Sequence, residues 1–105
     1  MSLKMKNDKF VIIGVNIDEI ITDINKVVNI VYQYRNNERK IIVLVAERYY
    51  VRIGCLLTAT IIIEHNNENQ YQIITIIAGQ DPSLGAESSM LKRIKNLFLK
   101  DVKTS

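Results

Sequence analysis

Few of the 105 residues are of the types on which disulfide scaffolds, metal sites or histidine catalysis depend. The sequence has one Cys, one His, one Pro, four Gly and no Trp. A single cysteine cannot close an internal disulfide, and a zinc site needs several Cys or His ligands. We therefore expect no disulfide framework, no metal site, no cofactor and no catalytic residue built on a Cys–His pair.

Long apolar runs are also missing. The longest nearly apolar stretch, Ile53–Ile63, has eleven residues, whereas a membrane-spanning helix needs about 20. The shorter run Phe10–Val15 is soon followed by Asp18 and Glu19, unlike the apolar segment of a secretory signal. The sequence thus predicts a cytoplasmic chain with no membrane partner.

The net charge of +3 is concentrated near the C-terminus. Residues 88–105 contain five basic residues and one acidic residue, whereas residues 1–87 contain nine basic and ten acidic ones. Nucleic-acid-binding proteins combine a basic stripe with interleaved aromatics or a recognisable module, and the five tyrosines lie elsewhere in this chain. We interpret the basic segment as a solvated helix face and expect no nucleic-acid partner.

Hydrophobic periodicity predicts the secondary structure. Apolar residues recur with a helical period over Ile17–Tyr34, after Asn16 as a plausible N-cap, and again over Ser88–Leu99. Runs rich in β-branched residues predict strands near residues 9–15, 40–51, 55–65 and 70–78, with a tight hairpin near Arg52–Cys55.

These elements predict an α+β fold of order βαβββα. Two helices packed on one face of a four-stranded, mostly antiparallel sheet would bury both apolar helix stripes. The 48% hydrophobic content supports a single folded domain over residues 9–105, with residues 1–8 disordered or frayed.

A polar cluster near the end of the second predicted strand is the first candidate site. Alternation places Glu47 on one face and Arg48, Tyr50 and Arg52 on the other. The two guanidinium groups flanking Tyr50 could hold a small anion. The alternative is structural, with cross-strand packing and ion pairs, including one from Glu47 to the last helix.

The loop Gly79–Gly85 before the last helix is the second candidate. Gln80 and Glu87 border it, and its backbone N–H groups could bind an anion at the helix start. The alternative is an ordinary helix start with a capping Asp or Ser and a favourable early Glu.

These motifs resemble a family of small prokaryotic proteins of unknown function. That family has a V-x-E-[KR]-Y-Y-x-R strand and a later G-A-E segment before a final helix. The matching residues here are Val45, Glu47, Arg48, Tyr49, Tyr50, Arg52, Gly85, Ala86 and Glu87. This chain departs from the pattern at residues 80–84, which replace the family's glycines and aromatic. The resemblance implies a shared fold, over about residues 41–98, and no particular activity.

Two functions follow as hypotheses. The first is a non-enzymatic association domain that forms a homo-oligomer, because Ile30, Leu56 and Ile62 fall on faces that the one-sided fold leaves partly uncovered. The alternative is a domain that binds a small molecule or anion in a cleft between the sheet and the C-terminal helix. No motif nominates a reaction, so an enzyme ranks third.

Overall fold

A computed structural model describes residues 4–51, 54–67, 69–79 and 85–99. The elements run in the order βαββββα. They are β1 (Lys4–Ile13), α1 (Ile17–Val27), β2 (Asn29–Asn36), β3 (Ile41–Tyr50), β4 (Cys55–Asn67), β5 (Gln70–Gly79) and α2 (Gly85–Leu99). Neither of these two helices combines the length and the hydropathy needed to cross a membrane.

The five strands form one antiparallel sheet in the order β1-β5-β4-β3-β2. The predicted α+β class is confirmed, but the predicted strand number was too low by one. Because β1 and β2 lie at opposite edges, α1 crosses the sheet instead of linking two neighbouring parallel strands.

The additional strand is β2, which replaces the second half of the helix predicted over Ile17–Tyr34. The helix ends at Val27, and Val28 is already extended, with φ −132° and ψ 161°. The side chain of Asn25 then accepts a hydrogen bond from the backbone N–H of Ile30 at 3.1 Å. The following residues are rich in β-branched and aromatic side chains, which favour a strand. Pairing with β3 therefore prevails over a helical period that continues by coincidence through Val31.

Two element boundaries also differ from the prediction. Residues 4–8, expected to be frayed, pair in register with residues 75–79 of β5 and extend β1. The last helix begins at Gly85, three residues before Ser88. The hairpin between β3 and β4 is confirmed: Gly54 has φ +58°, a left-handed conformation that glycine tolerates, and its N–H donates to the Val51 carbonyl.

Both helices cover the same face of the sheet. Ile20 and Ile24 of α1 are buried as predicted, together with Met90, Ile94 and Phe98 of α2. The sheet contributes an unbroken apolar row from β4, namely Cys55, Leu57, Ala59, Ile61 and Ile63. The core therefore lies between this face and the helices.

Candidate functional site

Strand β3 separates the residues of the first candidate site onto two faces, as alternation predicts. Glu47 pairs with Asn29 and Thr58 on the face opposite the helices. Arg48 and Tyr50 lie on the helix-covered face, where the Arg48 guanidinium carbon is 5.2 Å from the Tyr50 ring centroid. Glu47 consequently points away from α2, and the structure does not bring it to a basic residue of that helix.

Arg48 is held by the C-terminal end of α1. Its Nη1 donates a partly buried hydrogen bond of 3.0 Å to the carbonyl oxygen of Val27, the last residue of that helix. The last carbonyls of a helix have no partner within it and carry partial negative charge, so a guanidinium there is favourable. This hydrogen bond supports the structural interpretation of Arg48, in which its guanidinium stabilises the fold.

Glu87 lies in the first turn of α2 and is completely buried. Its Oε1 atom is only 2.7 Å from the position that a Cβ atom on Gly79 would occupy, and that Cβ would also collide with the Leu57 side chain. Gly79 thus leaves the space that the carboxylate fills. A carboxylate in the first helical turn is favoured by the helix dipole, which gives Glu87 a structural reason for its position.

Arg52, Gln80 and residues 81–84 lie outside the described residues. The anion clamp of Arg48 with Arg52, and the cleft between the sheet and α2, accordingly stay predictions. Among the described residues near this predicted cleft, Arg48 pairs in register with Leu57. The Leu57 side chain fills the space that a Cβ atom on Gly79 would need.

The single cysteine and the single histidine both pack against other side chains of the fold. Cys55 is buried in the core, and the His65 ring stacks on Tyr71 with centroids 4.5 Å apart and an interplanar angle of 18°. Within the described ranges, no group of three or more His, Cys, Asp or Glu residues could hold a metal ion.

A further candidate surface is the sheet face that no described helix covers, which we term the open face. Strand register assigns its residues. Two adjacent rows cross its middle, Lys9–Ile74–Ile62–Val43–Tyr34 and Asn7–Ile76–Thr60–Val45–Tyr32. Seven of these ten residues are Ile, Val or Tyr, and we term those seven the apolar centre.

The two rows that flank the apolar centre mix polar and apolar residues. One contains Gln72, Glu64 and Asn36 together with Val11 and Ile41, and the other contains Thr58, Glu47 and Asn29 together with Met5 and Ala78. Among the described residues of the open face, the charged ones are Lys9, Glu47 and Glu64. An apolar centre whose charges are few and lie toward the periphery is a composition typical of protein–protein interfaces.

Large hydrophobic side chains on the open face are exposed to solvent. Tyr32 is 57% exposed and Leu56 is 49% exposed, and on β1 Val11, which pairs with Gln72, is 49% exposed and Ile13 is 63% exposed. Monomeric proteins rarely expose contiguous apolar patches of more than a few hundred square ångströms. The open face is therefore the candidate interaction surface that the described residues offer.

The sequence indicated only part of this surface. Leu56 and Ile62 were expected to be uncovered and lie on the open face, whereas Ile30 packs against the core under α1. Tyr32 and Tyr34 were missed because their segment was assigned to a helix. The sequence of β5 could have indicated this surface, because it has isoleucines on both faces of the strand. Ile73 and Ile77 face the helices, whereas Ile74 and Ile76 lie on the open face.

The two sheet edges are less suited to association than the open face. The sequence of β1 contains Lys4, Lys6 and Lys9. Strand β2 has a bulge at Val31, between the pairs formed by Ile30 and Tyr32. Lysines and bulges are common devices by which proteins prevent pairing at an edge strand.

No protein-family profile and no curated protein matches this chain. The resemblance to small prokaryotic proteins of unknown function stays a prediction, and the functional argument depends on the geometry of the molecule.

Proposed function

We propose that this chain is a non-enzymatic association domain whose open face packs against the open face of a second copy. The observation that carries the proposal is the apolar centre, which crosses four strands on the side of the sheet opposite the helices. Burial of such a surface supplies the main driving force for association.

The size of the open face supports a dimer. Five strands about 4.8 Å apart and about nine residues long, at about 3.3 Å per residue, cover roughly 700 Å². Stable interfaces bury about 800 Å² per partner, so two open faces together approach the standard size. Sheets packed in this way lie about 10 Å apart, with interdigitating side chains.

The charge distribution also favours a second copy. The apolar centre contains no charged residue, so two identical faces meet there without repulsion. The three described charges are Lys9, Glu47 and Glu64, which lie on the rim of the face where water can still reach them. A cytoplasmic dimer of this kind would keep the single thiol of Cys55 in the protomer core, away from the interface.

A charge at the middle of the open face tests the proposal. Ile62 occupies the central strand and pairs with both Ile74 and Val43. We expect the wild-type protein to have twice the 12.1 kDa mass of the chain by light scattering, and Ile62→Lys to have the mass of one chain. A lysine desolvated within the packed face of each copy would oppose association.

The matched control is Asn96→Lys, which adds the same charge at an exposed position on α2. It should leave the dimer mass unchanged. Circular dichroism of both variants separates lost association from lost folding. A monomeric wild-type protein, or a folded Ile62→Lys variant that remains dimeric, would refute the proposal.

A further inference from the structure

A cavity beside the start of α1 suggests that the chain also binds a small molecule. It has a volume of about 780 Å³ and lies on the helix-covered side, where the start of α1 meets the ends of the strands. Ligand pockets typically measure about 300–1,000 Å³. Asn36 and Ile41 of its lining belong to the edge of the open face, and the other lining residues lie outside the apolar centre, so the cavity is distinct from the centre of the proposed dimer interface.

The inner part of the cavity is apolar and partly aromatic. Its lining includes Ile17, Ile42 and Ile63, together with the stacked rings of His65 and Tyr71. Aromatic rings prefer offset-stacked or edge-to-face neighbours at centroid distances of about 4.5–7 Å. The lining as a whole is mixed: these less exposed side chains can contact a flat apolar group, while the more exposed lining residues are polar or charged.

The mouth of the cavity carries net positive charge. Asp18 and Arg35 both line it and neutralise each other in an ion pair of 2.8 Å that joins α1 to β2. Lys40 adds a further cation, and none of the ion pairs among the described residues involves it. Asp18, Arg35 and Lys40 together give the mouth a net charge of +1.

The β2–β3 turn holds Lys40 in an unusual conformation at this mouth. Its φ is +56°, in the left-handed region that favours glycine, and its carbonyl accepts a hydrogen bond of 2.9 Å from the N–H of His65. The Asn36 side chain accepts from the Arg39 N–H at 3.0 Å and fixes the same turn. Glycine would suit this backbone better, so the lysine costs conformational energy at a position where its charge faces a cavity.

We propose that this cavity binds a small monoanion with a flat apolar body, of the aromatic carboxylate class. The ring lies against the isoleucines and the His65–Tyr71 pair, and the carboxylate lies at the mouth near Lys40. This orientation places each part of the ligand against a lining of matching chemistry. It differs from the predicted cleft beside α2 in both location and residues.

Nitrogen–proton correlation spectra of the protein titrated with benzoate test the proposal. We expect saturable shifts that centre on the amides of residues 14–18, 40–42, 65 and 71. Benzyl alcohol, which keeps the ring and lacks the charge, should bind at least about fivefold more weakly, as should inorganic phosphate, which lacks the ring. Equal affinity for benzoate and either of these probes would overturn the assigned ligand class.

The variant Lys40→Gly separates binding from folding. It removes the cation and relieves the left-handed strain, so we expect thermal stability at least equal to that of the wild type and benzoate binding about fivefold weaker or more. A control for Lys40→Gly cannot be Lys92→Gly, because glycine would destabilise the helix that contains Lys92. We therefore compare Lys40→Gln with Lys92→Gln, which removes the same charge from an exposed position on α2. Unchanged binding by both Lys40 variants would overturn the proposal, as would the absence of saturable shifts at millimolar benzoate or shifts confined to the open face.

Discussion

Leu56 and Leu57 are adjacent in the sequence and lie on opposite faces of the same sheet. Leu57 has no exposed surface beneath the helices, whereas Leu56 is 49% exposed on the open face. The contrast arises because successive strand residues point to opposite sides while the two helices cover only one side. This difference between the two faces is the feature from which we propose association of the open face.

The covered face should determine the stability of each protomer. Ile24 is completely buried in α1, and Ile24→Ala should lower the free energy of unfolding by about 2–5 kcal/mol because it leaves a cavity in the core. Urea denaturation at one fixed protomer concentration measures the change, since dissociation contributes to the apparent stability of a dimer.

Lys92→Ala is the surface control for this experiment and should change the free energy of unfolding by at most about 0.5 kcal/mol. Lys95 is a poor control, although it belongs to the same basic segment. Its Nζ atom is 3.3 Å from Asp8 Oδ2 and 5.3 Å from the Phe10 ring centroid. Equal denaturation midpoints for the Ile24 and Lys92 variants would show that the assignment of the core is wrong.

Arg48 should contribute to stability through the end of α1. Arg48→Met keeps most of the side-chain length and removes the hydrogen bond to the Val27 carbonyl and the contact with Tyr50. We expect a loss of about 1–2 kcal/mol in the free energy of unfolding, because a charged hydrogen bond at a helix C-terminus is lost.

Arg93→Met is the matched variant for Arg48→Met, since Arg93 is exposed on α2. It should be close to neutral in the same denaturation experiment. If both variants unfold at the same urea concentration, the hydrogen bond from Arg48 to the Val27 carbonyl does not stabilise the fold. That result would favour the anion-binding interpretation of Arg48.

The sequence was sufficient for the class of fold and for most of the covered face. The helical period identified Ile20 and Ile24 as core residues, and the alternation of strand residues identified the buried row of β4. The α1–β2 boundary was not predictable by the same reasoning. Val27 and Val28 satisfy a helical stripe and a strand equally well. The pairing of β2 with β3 depends on partners outside the segment, from Ile41 opposite Asn36 to Glu47 opposite Asn29.

The candidate surface was harder to predict than the fold. Tyr34, Val43, Ile62 and Ile74 belong to four different strands and form one row only when the register is known. Each of these residues alone is an ordinary strand residue. The cavity near Lys40 is similar, since its lining comes from five separate segments and contains no motif.

The most direct test of the central claim is a filtered nuclear Overhauser experiment on a mixture of isotopically labelled and unlabelled wild-type protein. The experiment detects only contacts between methyl groups of different protomers. Face-to-face packing predicts such contacts from Ile62, Ile74 and Val43 to the open face of the partner, with none from Ile24 or Ile94 in the protomer core. Contacts confined to the helices or to the edges β1 and β2, or the absence of any contact between protomers, would contradict the account.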